Sequence, residues 1–101
     1  MSETNESMEE VLALLKAFME SQKSEYGLLS LGVFGSLARG EARSDSDVDI
    51  VFETNQPNLF RTARMRAELE RLLARPVDVV RLRERMNPRL RQRILREAHY
   101  V

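Results

Sequence analysis

Two short apolar segments on either side of a polar, turn-rich segment constrain the fold most. Residues 29–34 are rich in leucine, valine and phenylalanine, which predicts a buried strand that stops at Gly35. In residues 47–52 aspartates alternate with apolar side chains, so Asp47 and Asp49 are expected to project from the same face of a second strand. The segment GSLARGEARSDS between the strands leaves room for one short helical turn. The sequence therefore predicts two strands, with a pair of carboxylates on one face of the second.

Helix signals surround these two strands. Apolar residues at helical spacing predict a first helix that starts near Val11 and ends before Gly27. Asn58 is a suitable N-cap for a second helix, and Pro76 is expected to end it. Asn87 followed by a proline is a cap and first-turn signal for a last helix.

A third strand is predicted over residues 77–82, where valines flank Asp78. The valines are expected to face the core and Asp78 to face the other way. The expected fold class is therefore α+β, a single small domain with a mixed sheet of three to four strands and about three main helices. Residues 1–10 are interpreted as a polar tail and residues 11–101 as the domain.

Composition indicates a water-soluble protein and excludes several classes. The chain has 101 residues, 43% of them apolar and 32% charged, which suits one globular core. No segment approaches the roughly 20 apolar residues of a membrane span. The opening MSETNESMEE lacks the pattern of a signal peptide, so a cytoplasmic location is expected. Disulfides and thiolate metal sites are excluded because the chain contains no cysteine.

The net charge of zero hides an uneven distribution. Residues 1–60 carry 4 basic and 11 acidic side chains, whereas residues 61–101 carry 12 basic and 5 acidic ones. The arginine-rich half could meet phosphates or an acidic partner, but its arginines recur on predicted amphipathic helices, which favours solvated helix faces. Direct nucleic-acid binding is disfavoured, because only Phe60 and Tyr100 could stack on bases and no reading motif is present.

Gly35 and Ser36 stand where the first strand gives way to the helical turn. Glycine lets the backbone approach a ligand closely, and a hydroxyl beside unpaired N–H groups suits a phosphate. By itself this dipeptide is a weak signal, since similar turns are common in folds that bind nothing.

Asp47 and Asp49 strengthen the phosphate interpretation. Adjacent like charges repel, and magnesium is commonly held by one or two carboxylates together with substrate phosphates. If Asp78 lies beside Asp49, the three carboxylates could hold two magnesium ions, one bridging a triphosphate and one activating an attacking hydroxyl. The alternatives are an exposed acidic strand face for the pair and a solvent-facing residue for Asp78. Asp45 is interpreted as a turn residue.

The segment GSLARGEARSDSDVDIVF resembles the nucleotidyltransferase signature of the DNA polymerase beta superfamily. Ala38, Arg39 and Gly40 after the serine, the strand motif RPVDVV and the closing LRERMNPRLRQRILREAHYV are similar to the minimal nucleotidyltransferases, so the resemblance covers residues 11–101. It implies a polymerase beta-like fold and the transfer of AMP from ATP to a hydroxyl with two Mg²⁺ ions. Arg39 is then expected to contact a phosphate or fix the loop, with a plain surface arginine as the alternative.

The resemblance also implies roles for five other residues. Gly35 and Ser36 would hold the terminal phosphates of the nucleotide. Asp47 and Asp49 would hold the metal ions, and Asp78 would complete that metal site and help to activate the acceptor hydroxyl.

Proteins similar to this one are typically encoded beside a helical HEPN ribonuclease toxin, which they neutralise by binding it and by adding AMP to a tyrosine. The resemblance therefore implies an antitoxin with protein adenylyltransferase activity and a HEPN-type toxin as its partner. Two alternatives stay open: a catalytic subunit that nucleotidylates a small-molecule alcohol, and a non-catalytic module that masks a partner. Apolar surface on the outer helices would favour a homodimer or a complex with the partner.

Overall fold

The computed structural model describes residues 3–43 and 46–101, the first five of them by backbone alone. The helices of this part are α1 (Glu3–Tyr26), α2 (Gly35–Ala38), α3 (Leu59–Leu73) and α4 (Pro88–Glu97). Its strands are β1 (Leu28–Phe34), β2 (Val48–Thr54), β3 (Val77–Arg81) and β4 (His99–Tyr100). The predicted α+β class is confirmed. The three main helices are present, α2 is the expected short helical turn, and the four strands agree with the three to four expected.

The strands form one mixed sheet in the order β3-β2-β1-β4. β1 is antiparallel to β2 and β4, whereas β2 and β3 are parallel and are connected through α3. The parallel register places Asp49 beside Asp78, and the antiparallel register places Asp49 opposite Phe34. The beginnings of β2 and β3 therefore lie at the same edge of the sheet as the end of β1.

Asparagine side chains start two of the helices, as the sequence predicted. Asn58 accepts a hydrogen bond from the Arg61 N–H in the first turn of α3. Asn87 accepts hydrogen bonds from the N–H groups of Arg89 and Leu90 in the first turn of α4. Caps of this kind each stabilise a helix by about 1 kcal/mol. Both predicted N-caps are confirmed.

Helix α1 begins at Glu3, inside the segment 1–10 that the sequence suggested as a polar tail. No glycine or proline interrupts this segment, so the helix that packs through Val11 can continue toward the N-terminus. Although α1 spans 24 residues, neither it nor any other helix in the described ranges is long and apolar enough to cross a membrane.

Apolar side chains pack on both faces of the sheet. The larger core joins α1 and α3 to one face and includes alternate residues of β2, namely Val48, Ile50 and Phe52. Val51 points to the other face, where it packs with Phe34 and with Ile94 of α4. Because side chains alternate along a strand, Asp49 lies on the same face as Val51 and α4.

Candidate active site

Gly35 and Asp49 pack together at the junction of β1 and α2. Gly35 is buried and has a φ of +78°, in the left-handed region that other residues rarely adopt. A Cβ built on Gly35 would lie 2.0 Å from Oδ2 of Asp49. A glycine is therefore needed at this position both for the backbone conformation and to leave room for the carboxylate.

Ser36 follows in the single turn of α2 and is half-buried. Backbone hydrogen bonds close this turn: the Arg39 N–H donates to the Gly35 carbonyl at 3.1 Å, and the Glu41 N–H donates to the Ser36 carbonyl at 2.8 Å. These bonds fix the path of the chain beside Asp49. The phosphate contacts of Gly35 and Ser36 stay predictions.

The three predicted carboxylates lie on or next to two neighbouring strands, and Asp47, which the sequence placed in the second strand, is just outside it. Asp47 precedes β2 and is exposed, Asp49 is half-buried within β2, and Asp78 is exposed on β3 beside Asp49. Burial raises the pKa of Asp49 above its usual value, and the negative charges of Asp78 and Asp47 raise it further. The positive charges of Arg93 and Arg39 act in the opposite direction on this pKa. The site thus concentrates negative charge around one half-buried carboxylate.

The chemistry of these donors fits a hard divalent cation. Magnesium prefers oxygen ligands, and a cation would relieve the repulsion among adjacent carboxylates. As the side chains stand, no three His, Cys, Asp or Glu residues within 3–43 and 46–101 form a group that could hold a metal ion. Magnesium binding by Asp47, Asp49 and Asp78 stays a prediction, in which nucleotide phosphates complete the ligand set. Asp45 lies outside the described residues.

Glu97, at the end of α4, is the residue of this site that the sequence did not reveal. Its Oε1 accepts a hydrogen bond from the Gly35 N–H at 3.3 Å and another from Nη1 of Arg39 at 3.0 Å. Its Oε2 lies 4.0 Å from Nε of Arg93, and the side chain is only 17% exposed. The Glu97 carboxylate therefore accepts a hydrogen bond from the backbone N–H of Gly35, a residue that is predicted to bind a phosphate.

The sequence carried one weak signal for Glu97. Arg93 and Glu97 are four residues apart on a helix, a spacing that is typical of a solvent-facing ion pair. The contact between Glu97 and Gly35 joins residues 62 positions apart, so it depends on how α4 packs against the sheet. No local pattern could have predicted it.

Arg39 contacts the loop and the end of α4 in this structure. Its guanidinium lies 3.0 Å from Glu97 Oε1 and 3.1 Å from Glu41 Oε1. The side chain is 37% exposed, so it also stays accessible to a ligand. The loop-fixing contact considered for Arg39 is present, and its contact with a phosphate stays a prediction.

Known proteins share the fold of this chain. Residues 14–101 match the family model of the nucleotidyltransferase domain. The chain belongs to this family. It is therefore a nucleotidyltransferase, and the resemblance to the minimal nucleotidyltransferases that the Gly-Ser and Asp-x-Asp motifs suggested is confirmed.

Individual relatives agree with this assignment. The protein adenylyltransferase MntA of Thermococcus cleftensis is 35% identical, over 94% of this chain and 96% of the relative. A solved structure described as a minimal nucleotidyltransferase is 42% identical and has a TM-score of 0.69. The match covers 87% of this chain and 93% of the matched chain. A toxin-antitoxin structure with AMP-PNP, at 21% identity, shares the fold with a TM-score of 0.68 over 92% of this chain and 70% of the matched chain.

Proposed function

We propose that this nucleotidyltransferase transfers AMP from ATP to a hydroxyl of a partner toxin in the cytoplasm and so acts as an antitoxin. The proposed partner is a HEPN-type ribonuclease, and the proposed acceptor is one of its tyrosines. Two similarities support the proposal. A relative that aligns over nearly the whole of both chains is named protein adenylyltransferase. The fold is also shared with a chain of a toxin-antitoxin structure with AMP-PNP.

The observation that carries the proposal is the packing of Asp49 against Gly35, with Asp78 on the neighbouring strand. The Gly35 N–H, which donates to Glu97 in this structure, is a backbone donor at the start of a helical turn, where a phosphate oxygen would take the place of the carboxylate. A triphosphate bound there would have its phosphates beside the carboxylates. Displacement at phosphorus depends on this kind of positioning and charge stabilisation rather than on a covalent enzyme intermediate.

Each residue has a role in the proposed reaction. Gly35 and Ser36 bind the terminal phosphates, and Asp47, Asp49 and Asp78 hold two magnesium ions. Magnesium, when bound, neutralises phosphate charge and lowers the pKa of the acceptor hydroxyl.

The proposed transfer forms one bond and breaks another. Asp78 accepts the proton of the acceptor hydroxyl, whose oxygen forms a bond to the α-phosphorus of ATP. The bond between that phosphorus and the oxygen that bridges to the β-phosphorus breaks, and pyrophosphate leaves. The acceptor then carries AMP through a phosphodiester link.

Transfer of a labelled phosphate tests the reaction type. The protein is incubated with magnesium, the purified product of the neighbouring gene, and ATP labelled at either the α- or the γ-phosphate. Adenylyl transfer predicts that the partner retains the α label and not the γ label. Retention of the γ label would indicate phosphoryl transfer and contradict the proposal.

The same incubation with an aminoglycoside-like alcohol added separates the two alternative functions. Label on an aminoglycoside-like alcohol, with none on the partner, would favour the small-molecule acceptor. A stable complex with no label on either would favour the masking module.

A further inference from the structure

A groove of about 440 Å³ lies at the far end of β2 and β3 from the candidate active site. Its walls come from the ends of these strands, the first turn of α3 and the start of α4, and include Phe52, Leu59, Val79, Leu90, Arg81 and Arg83. Phe52 pairs with Arg81, three positions along the strands from the Asp49 and Asp78 pair. At about 3.3 Å per residue the two pairs are roughly 10 Å apart along the strands. Phe52 faces the opposite side of the sheet from Asp49, but the groove also includes Val80 and Leu90, which lie on the α4 face with Asp49.

Two large apolar side chains mark the surface at this groove. Leu59 and Phe60, consecutive residues in the first turn of α3, are each 87% exposed. Leu59 lines the groove, and Phe60, the next residue in the chain, does not line it. Single exposed apolar residues are ordinary, but an adjacent pair beside an apolar groove is typical of a protein interaction surface.

The arginines that line the groove indicate which ligand groups it can bind. Arg81 and Arg83 line it, and the segment 81–86 carries three arginines against one glutamate. In the part of the chain that the structure describes, neither Arg81 nor Arg83 belongs to an ion pair. Arginine side chains in this setting favour carboxylates, to which they can donate two parallel hydrogen bonds.

We propose that this groove, together with Phe60, is the docking surface for the acceptor protein, which presents an apolar side chain flanked by aspartate or glutamate. This inference rests on the proposed function, since it locates where the acceptor protein binds. A protein fits better than a small molecule because Leu59 and Phe60 are both almost fully exposed, and a partner's surface can cover both. The separation of roughly 10 Å allows one docked protein to cover the groove and place a hydroxyl at the carboxylates.

A double substitution of the exposed pair tests the docking surface. Leu59→Asp with Phe60→Asp removes the apolar contact and is expected to keep the fold, since both side chains are exposed and acidic residues suit the first turn of a helix. Calorimetry with the purified product of the neighbouring gene should show a Kd raised by about tenfold or more, the scale of loss from truncating central contacts. The Kd for MgATP should stay within about twofold of the wild-type value, because the groove is separate from the nucleotide site.

Two further variants serve as controls for position and charge. Leu95→Asp changes a leucine on α4 that is 55% exposed and lies outside the groove, and it should leave the Kd for the partner unchanged. Arg83→Glu should weaken the complex and reduce its sensitivity to salt, because one favourable charge pair is lost.

The outcomes separate this inference from the function it rests on. Partner binding by the double variant at wild-type strength would overturn the docking surface and leave the proposed function standing. If the double substitution changes the sedimentation of the chain alone and leaves its affinity for the partner unaltered, the groove is a contact between two copies of the chain. That result would also overturn the inference. No binding of the partner by the wild-type protein would overturn both.

Discussion

The Cβ position of residue 35 lies 2.0 Å from Oδ2 of Asp49, so the glycine and the aspartate depend on the same small space. Gly35 directly follows β1, Asp49 lies in the antiparallel β2, and Phe34, next to the glycine, is the register partner of Asp49. The glycine of the Gly-Ser motif and the second aspartate of the Asp-x-Asp motif are therefore coupled by packing. A side chain at position 35 would move the half-buried carboxylate of the site.

Gly35→Ala is expected to reduce nucleotidyl transfer by on the order of 100-fold, the cost of an approximately 1 Å displacement of a catalytic group. Gly40→Ala is a matched control, because Gly40 has a φ of +73° but a Cβ there would meet nothing within 4 Å. Both variants should lose roughly 1–2 kcal/mol of stability from the left-handed backbone. Rates of pyrophosphate release measure the difference, and equal activities in the two variants would contradict the coupling.

Asp49→Asn is expected to abolish transfer while stabilising the nucleotide-free protein. Burial and the neighbouring charges of Asp78 and Asp47 raise the pKa of Asp49, so its ionised form opposes folding at neutral pH. The melting temperature at pH 7 without magnesium should rise by about a few degrees. Asp47→Asn, which changes an exposed side chain, should raise it less. A lower melting temperature for Asp49→Asn would show that the carboxylate stabilises the fold.

Glu97→Gln is expected to tighten binding of MgATP. The Glu97 carboxylate accepts the Gly35 N–H and carries a charge that repels an incoming triphosphate, whereas glutamine keeps an acceptor oxygen without the charge. The Kd for ATP should fall by roughly three- to tenfold, the scale of about 1 kcal/mol.

Glu41→Gln is the control for the Glu97 variant. Glu41 also pairs with Arg39, at 3.1 Å, but its side chain is 63% exposed. Calorimetry should therefore show a smaller change in the Kd for ATP. An unchanged or raised Kd for Glu97→Gln would mean that Glu97 assists nucleotide binding by holding Arg39 rather than competing with the phosphate.

Ionisation of Tyr26 is expected to lower the stability of the protein at alkaline pH. The buried phenol of Tyr26 donates a hydrogen bond to the Glu68 carboxylate, and burial raises its pKa above the usual value. The unfolded chain therefore ionises first, so the stabilisation is complete below about pH 10 and is lost as the pH rises through the folded pKa. Tyr26→Phe should be less stable by about 1 kcal/mol near pH 7, and this gap should narrow in urea unfolding at pH 11. A difference in stability between the two proteins that stays constant from pH 7 to pH 11 would contradict the proposed role of Tyr26 ionisation.

The fold was largely predictable because its elements depend on neighbouring residues. The stop of β1 at Gly35, the caps at Asn58 and Asn87, and the alternation around Asp78 are each encoded within a few positions. The start of α1 was harder to predict, because residues 3–10 are polar and continue a helix whose apolar contacts come later.

The candidate site was predictable only in part. The Gly-Ser and Asp-x-Asp motifs are local, and the neighbouring position of Asp78 follows once β2 and β3 are parallel. The contact of Glu97 with the Gly35 N–H and the exposure of Phe60 are tertiary properties, which depend on where whole helices pack. A single sequence holds no local pattern for either.

The intact mass of the neighbouring gene product, measured after incubation with MgATP and this protein, tests the central claim most directly. The wild-type protein is predicted to add the mass of one or more AMP groups to that product. The variant with Asp47→Asn and Asp49→Asn, which keeps the side-chain shapes but removes the charges, is predicted to add none. An unchanged mass with the wild-type protein in a stable complex, or an equal gain with the double variant, would contradict the claim.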